Sequence, residues 1–131
     1  MDVVRKTVLY VVVRLGEVDV KRLVYIMYLV DRELYYVAGF TLFDWMYVFS
    51  GLRSFDVYDV ADELADLGYF EKEVKDSNIV YRFRREGVEV ELHRQLKDVV
   101  DKVLEKVEGG VNLEGCVLKL IDPNIVKIAG I

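Results

Sequence analysis

The chain has 131 residues, of which 53% are hydrophobic and 31% are charged, with one proline and a formal net charge of -5. This length and apolar content are typical of one globular domain with a single core, and they exclude a disordered chain. The negative net charge argues against indiscriminate binding to nucleic acid or anionic membrane, because a sequence-independent phosphate contact needs an excess of Lys and Arg.

The composition indicates the cellular compartment of the protein and the kinds of functional site that it is expected to lack. No apolar run approaches the roughly 18 residues of a transmembrane helix, and the start at Met1 lacks a secretory leader, so we expect a cytoplasmic protein that binds no membrane. Scarce Asn, Gln, Ser and Thr beside abundant Val, Glu, Lys and Arg resemble the composition of proteins from thermophiles. Cys116 and His93 are the single residues of their types. We therefore expect no disulfide, metal, cofactor or catalytic relay, with Cys116 in the core and His93 on the solvent face of a helix.

Two helices are predicted before residue 40. Apolar residues at helical spacing over 3–15 end at Gly16, although three consecutive valines at 11–13 leave a strand as an alternative. Asp19 is a favourable N-cap for a second helix that continues to about Val37. Because apolar side chains occupy nearly all sides of this second helix, we expect it to be central and almost surrounded.

Aromatic residues alternate through the next segment, which predicts a short strand from Phe43 to Phe49. One face of this strand carries Phe43, Trp45, Tyr47 and Phe49. Platforms that stack single-stranded bases are flanked by Lys and Arg, whereas the charge interleaved here is Asp44. We therefore interpret the aromatic face as core packing.

A capped helix and a hairpin are predicted next. After a break at 50–53, Ser54 is an N-cap for a helix that ends before Gly68. The buried stripe of this helix is predicted to be Val57, Val60, Ala61, Leu64 and Leu67. Strand-like runs on either side of the turn-forming residues 75–78 predict a β-hairpin over 69–84.

The last third of the chain begins with a predicted amphipathic helix over 88–108 that ends at two glycines. A short helix over 113–120 and an apolar tail at 125–128, typical of an edge strand or arm, are predicted to follow. Three apolar residues broaden the long helix beyond what a small core covers, which indicates a homodimer interface: Val100, Leu104 and Val107. The tail is a further candidate for pairing with the sheet edge of another chain.

This order of elements predicts an α+β, mainly α fold, a winged-helix-like domain with a small β-hairpin wing and an added long C-terminal helix. The single domain would cover 1–131, with a core over 1–87 that includes the wing at 69–85. The long helix at 88–108 and a C-terminal extension at 109–131 would complete it. In a winged helix, the helix before the wing is the one that enters the major groove of DNA.

That helix is acidic, with outward carboxylates predicted at Asp56, Asp59, Asp62, Glu63 and Asp66. DNA carries one negative charge per roughly 1.7 Å of axis, so a helix about 21 Å long would face some dozen phosphates with carboxylates. Two interpretations stay open for this acidic face: a solvated surface, or a surface that binds a basic protein partner.

The second strand of the hairpin carries the best candidates for contact with a DNA backbone. Arg82 and Arg84 share one face of that strand. Glu71 and Glu73 on the first strand are placed to face them, so the arginines are either phosphate contacts or members of cross-strand ion pairs.

The sequence also resembles a known family, the Panacea or SocA-like antitoxin domain. Residues 21–35 resemble its KLxYLxDxxxY helix, and 45–60 resemble its aromatic strand, serine cap and following helix. The Leu-x-x-Leu-Gly corner is matched at 64–68, and the late helix and Asp-Pro element at 99–108 and 122–123. This resemblance implies a domain that neutralises a toxin by direct contact or acts as an adaptor, without enzymatic chemistry.

We therefore expect a non-enzymatic protein-interaction module, antitoxin-like or an adaptor, that contacts its partner through the acidic helix. The alternative is a winged-helix transcriptional regulator that binds DNA as a dimer, with nucleic acid disfavoured by the acidic helix. An enzyme built on a carboxylate pair such as Asp62 and Asp66 is disfavoured, because an acidic stripe on one helix face provides no cavity.

Overall fold

A computed structural model describes residues 1–48, 51–84 and 87–128 of the chain, which form five helices and two three-stranded sheets. The helices are α1 (Val3–Leu15), α2 (Val20–Ala38), α3 (Phe55–Asp66), α4 (Arg94–Glu108) and α5 (Leu113–Lys119). The strands are β1 (Glu17–Asp19), β2 (Trp45–Val48), β3 (Gly51–Arg53), β4 (Phe70–Lys75), β5 (Asn78–Phe83) and β6 (Val126–Ile128). The predicted α+β class with a helical majority is confirmed.

Caps define the first two helices as the sequence predicts. The Asp19 carboxylate accepts the backbone N–H of Arg22 at 2.8 Å, which satisfies a free donor at the start of α2. Gly16 and Gly39 end α1 and α2 at φ 77° and 80°, in the region that favours glycine. The strand alternative for 11–13 is wrong, because these residues continue α1 into the core.

The first sheet has the order β1-β5-β4 and contains the predicted hairpin. Asp76 and Ser77 form its two-residue turn with φ 50° and 66°, and positive φ at both positions matches the twist of paired strands. The short strand β1, which the sequence analysis misses, pairs antiparallel with β5 and places Val18 opposite Tyr81.

The second sheet has the order β3-β2-β6. The prediction of a break at 50–53 is wrong for Gly51–Arg53, because these residues form an antiparallel ladder with β2. Phe43 and Trp45 are each 3% exposed, which confirms core packing for these two members of the aromatic face. Phe49, Ser50, the predicted end of the wing at 85 and the tail over 129–131 lie outside the described residues.

Helix α2 lies at the centre of the core, as predicted. Its fully buried hydrophobic side chains are Leu23, Ile26, Met27, Tyr28 and Val30. Helices α4 and α5 pack against α2, while α1 packs against α3. Each large apolar side chain buried in this way contributes about 1.5–3 kcal/mol relative to exposure.

The start of α4 differs from the prediction, since the helix begins at Arg94 rather than at residue 88. Val88, Val90 and Leu92 are half-buried against the core while the glutamates between them are exposed. This alternation has a period of two and belongs to an extended segment. His93 is therefore the N-cap of α4 rather than a residue on a helix face, and its Nδ1 accepts the backbone N–H of Gln95 at 3.3 Å.

The C-terminal tail packs on its own chain. After α5, which confirms the predicted short helix, β6 pairs in parallel with β2 of the same sheet. The Tyr28 hydroxyl donates to the Leu120 carbonyl at 2.7 Å and accepts the Asp122 N–H at 3.0 Å, which joins this segment to α2. The tail was predicted to pair with the sheet edge of another chain. This prediction is wrong for the edge of β6 that pairs with β2 of its own chain.

Candidate interaction surface

Helix α3, which follows β3 and precedes β4 in the chain, packs through an apolar stripe that the sequence predicts. Val57, Val60, Ala61 and Leu64 are buried, and α3 packs with them against α1 and α2. Leu67 is 54% exposed, so its assignment to the buried stripe is wrong. Leu67 is the C-cap of α3, one residue beyond the end of the helix, where the apolar stripe no longer faces the core.

The five acidic residues of α3 divide into two groups. Asp56, Asp59 and Asp66 are exposed, and no ion pair between described residues includes any of them. Asp62 and Glu63 are half-buried and make bonds within the chain. The expectation that all five project freely outward is therefore wrong for these two.

Asp62 and Glu63 connect α3 to its neighbours. Asp62 accepts the Tyr81 hydroxyl at 2.6 Å and lies 2.9 Å from the Lys72 ammonium. Burial raises the pKa of Asp62, but the bonds from Tyr81 and Lys72 outweigh burial and hold it below the usual value. Glu63 accepts the Arg5 Nε–H at 2.5 Å. These two carboxylates stabilise the position of α3 against the first sheet and α1.

The arginines of the hairpin form ion pairs, as the second interpretation predicts. Arg82 donates through Nε to Glu17 at 2.6 Å and through Nη1 to Glu73. Arg84 pairs with Glu71 across the same strands. The bonds from Glu73 and Glu17 raise the pKa of Arg82. Both guanidinium groups thus already face carboxylates, which reduces the positive potential they offer to phosphate.

The proposed dimer face of the long helix lies inside the protomer. Val100 and Leu104 are 0% exposed and Val107 is 7% exposed, because α4 packs this side against α2 and α1. The prediction that these three residues form a homodimer interface is wrong, since a second copy of the chain cannot reach them. Cys116 is half-buried and packs against the core, close to its predicted position.

An open cleft of about 690 Å³ lies beside the N-terminus of α3. It is bounded by the end of α2, by β2 and β3, and by the segment that leads into β6. Phe40 and Phe55, which are 51% and 71% exposed, contribute apolar rings to its wall. Ser54 also lines the cleft, and although it is only 2% exposed its hydroxyl has no hydrogen-bond partner among the described residues.

A smaller apolar pocket of about 390 Å³ adjoins this cleft and shares Phe55 with it. Met46, Val48 and Tyr58 complete most of its wall. The Arg53 Nη1–H donates to the Tyr58 hydroxyl at 3.4 Å at the edge of the pocket. The acidic face of α3 therefore begins next to a concave apolar surface.

Asp31 is a buried carboxylate that holds the wall of the cleft in place. It is 0% exposed and accepts the backbone N–H groups of Leu42 and Phe43 at 2.8 and 2.9 Å and the Trp45 Nε1–H at 2.7 Å. Burial raises the pKa of Asp31 to about 6, against the opposing effect of these three donors. The carboxylate thus fixes the turn from α2 into β2, which carries Phe43 and Trp45 to the cleft.

Neither the buried role of Asp31 nor the cleft was predicted from the sequence. The available signal was an acidic residue that lies one helical turn from Met27, Tyr28 and Leu34, because a charge among such side chains is buried and needs several hydrogen-bond donors. Among the described residues, no group of three or more His, Cys, Asp or Glu is arranged to hold a metal ion. Within the same ranges, no helix combines the length and hydropathy needed to cross a membrane.

Comparison of the chain with known proteins found no matching family, no matching curated protein and no matching solved structure.

Proposed function

We propose that this chain is a non-enzymatic protein-interaction module that binds a basic partner protein through α3. The observation that carries the proposal is the exposed face of α3, where Asp56, Asp59 and Asp66 lack cationic partners among the described residues. Unpaired carboxylates on a rigid helix attract a surface of opposite charge and orient it. An antitoxin-like or adaptor role is the form of this function that the resemblance to the Panacea domain implies.

The apolar pocket beside Phe55 supports a protein partner rather than a simple counter-ion. Charged pairs at the rim of an interface contribute little, whereas apolar anchors in pockets contribute most of the binding free energy. At the other end of α3, the exposed Leu67 adds a second apolar contact. A partner segment with basic residues between two apolar side chains would complement this surface.

The topology supports a winged-helix-like assignment, which we also propose. The helix α3 precedes the β4–β5 hairpin, and β1 between the first two helices joins the same sheet in the order β1-β5-β4. This is the arrangement in which α3 would be the recognition helix. The β2–β3 hairpin and β6 would then be additions to that plan.

DNA binding by a dimer is the weaker candidate. Helix α3 has 12 residues and is about 18 Å long, so it would face about ten phosphates of a duplex while carrying only acidic charge. Arg82 and Arg84 are engaged with glutamates of the chain itself. Binding DNA would require these ion pairs to open without relief of the repulsion at α3.

A comparison of charge variants tests the protein-binding proposal. The intact chain, the variant Asp59→Asn/Asp66→Asn and the control Asp98→Asn/Glu105→Gln are immobilised and exposed to extract from the source organism. The control removes two exposed carboxylates from α4. We expect at least one protein that is retained by the wild type and the control but reduced about tenfold by the α3 variant, and that binds directly when purified.

Equal retention of the same proteins by all three chains, each folded by circular dichroism, would overturn the proposal. A gel shift of random-sequence duplex DNA at low salt, lost on Arg82→Glu, would favour the regulator instead.

A further inference from the structure

The cleft at the start of α3 contains a hydrogen-bond donor, the Ser54 hydroxyl, that has no partner in the part of the chain that the structure describes. The first N–H groups of a helix have no intrahelical acceptor, and an N-cap side chain normally accepts one of them. Ser54 occupies the N-cap position of α3 but makes no side-chain cap bond. Its hydroxyl is buried and without a hydrogen-bond partner among residues 1–48, 51–84 and 87–128. A carboxylate bound in the cleft would accept from both the hydroxyl and the first-turn amides.

Two cations flank this part of the cleft. The strand register places Met46 directly between Arg53 on β3 and Lys127 on β6, so the three side chains share one face of the second sheet. Neighbouring strands lie about 4.8 Å apart, which separates the two cationic residues by about 10 Å of backbone. A small anionic group near Met46 would therefore have a positive charge on either side.

Carboxylates line the same cleft and limit the ligands that it can accept. Asp44 and Asp56 are both exposed at its wall, with Asp56 in the first turn of α3. They balance Arg53 and Lys127 in number, so a dianion such as phosphate would meet repulsion as well as attraction. A ligand with one carboxylate and one ammonium group would match both signs.

Most of the remaining wall is apolar or aromatic, with Thr41 and Asn124 as its polar residues. Phe40 and Phe55 expose more than half of their surface in the free chain, and covering them would remove apolar area from water. The volume of about 690 Å³ lies within the range of pockets that hold small ligands.

We propose that this cleft binds a small zwitterion with an apolar side chain, either a free amino acid or a dipeptide. Its carboxylate lies at the Ser54 hydroxyl and the α3 amides. Its ammonium group lies near Asp44 and Asp56, and its side chain packs on Phe40 and Phe55. This site shares Phe55 and Asp56 with the surface proposed for the partner. The partner test replaces only Asp59 and Asp66, which do not line the cleft, so the two proposals can fail separately.

Calorimetric titration of the full chain tests the proposal, with L-phenylalanine and L-leucyl-L-phenylalanine as probes. Phenylalaninamide lacks the carboxylate and N-acetyl-phenylalanine lacks the ammonium group. We expect one of the two zwitterions to bind at concentrations up to about 10 mM, and each analogue of phenylalanine to bind about tenfold more weakly or not at all. The tighter of the two zwitterions distinguishes a free amino acid from a peptide source.

Variants then locate the ligand. Ser54→Ala and Lys127→Gln are each expected to weaken binding about fivefold or more, whereas the control Lys119→Gln, at an exposed position of α5, leaves it unchanged. Because the Ser54 hydroxyl makes no hydrogen bond to any residue that the structure describes, we expect its removal to leave the fold intact, which thermal unfolding checks. Absence of binding by both zwitterions, equal binding of phenylalaninamide, or full affinity in Ser54→Ala would overturn the proposal.

Discussion

Replacing Asp31 by Asn should change how the stability of this protein depends on pH. Burial raises the pKa of Asp31 from the usual 3.8 to about 6 in the folded chain. Between these two values the unfolded chain has lost the proton that the folded chain retains, so the free energy of unfolding falls as pH rises. At about 1.4 kcal/mol per pH unit, the shift corresponds to about 3 kcal/mol.

The measurement is urea unfolding of the wild type and of Asp31→Asn from about pH 3 to about pH 7, below and above both pKa values. Other carboxylates, such as Asp62, titrate in both proteins and cancel in the difference. We expect the stability of the wild type, relative to the variant, to decrease by about 3 kcal/mol over this range and to be constant above it.

A second variant tests the cause of the shift. The Trp45 Nε1–H donates to the Asp31 carboxylate and favours its charged form. Trp45→Phe should therefore raise the pKa of Asp31 further and extend the fall in stability to higher pH. A difference between wild type and Asp31→Asn that is independent of pH, or that grows with pH, would refute the reasoning.

Two further substitutions test the packing of the helices. Leu104→Ala should lower the free energy of unfolding by about 2–5 kcal/mol, because Leu104 is 0% exposed. Sedimentation should give the same mass for the variant and the wild type. A lower mass for the variant would support the dimer interpretation instead. Tyr81→Phe should lower the free energy of unfolding by about 1 kcal/mol, because it removes the hydrogen bond to the partly exposed Asp62. This loss should disappear at acid pH, where Asp62 is protonated. Urea unfolding of both proteins at neutral and at acid pH measures the difference.

Local signals in the sequence are sufficient to predict most of the helices and the hairpin of the first sheet. The Asp19 side chain caps the start of α2, and the backbone conformation that Gly39 favours ends it. The turn at 75–78 fixes the register of β4 and β5. These features depend on residues close in sequence. They were therefore predictable without knowledge of the tertiary structure.

Elements that depend on distant partners were missed or misplaced. The strand β1 has three residues and exists because β5, more than 60 residues later, pairs with it. Gly51–Arg53 likewise became a strand through pairing with β2. The start of α4 was misplaced for a different reason. Apolar residues alternate with period two from Val88 to Leu92, but they were assigned to the helix that follows them.

The candidate surface was only partly predictable. The acidic residues of α3 follow from helical periodicity, but the engagement of Asp62 by Tyr81 requires the position of β5. The dimer interpretation failed because the core was assumed to be too small to cover the apolar face of α4, whereas α4 packs against both α2 and α1 and Val100 is buried. The cleft combines residues between 35 and 56 with residues 123–127, which lie far later in the chain, so no local pattern could reveal it.

We propose that α3 recognises a protein through its acidic face. The most direct test of this proposal is a chemical-shift titration of the isotopically labelled chain with the purified protein that the charge variants identify, and separately with duplex DNA. We expect the protein to shift amide signals from Asp56 to Leu67 and beside the apolar pocket, and DNA to shift none of them. Shifts that avoid α3 with the protein, or that follow the hairpin with DNA, would contradict the claim.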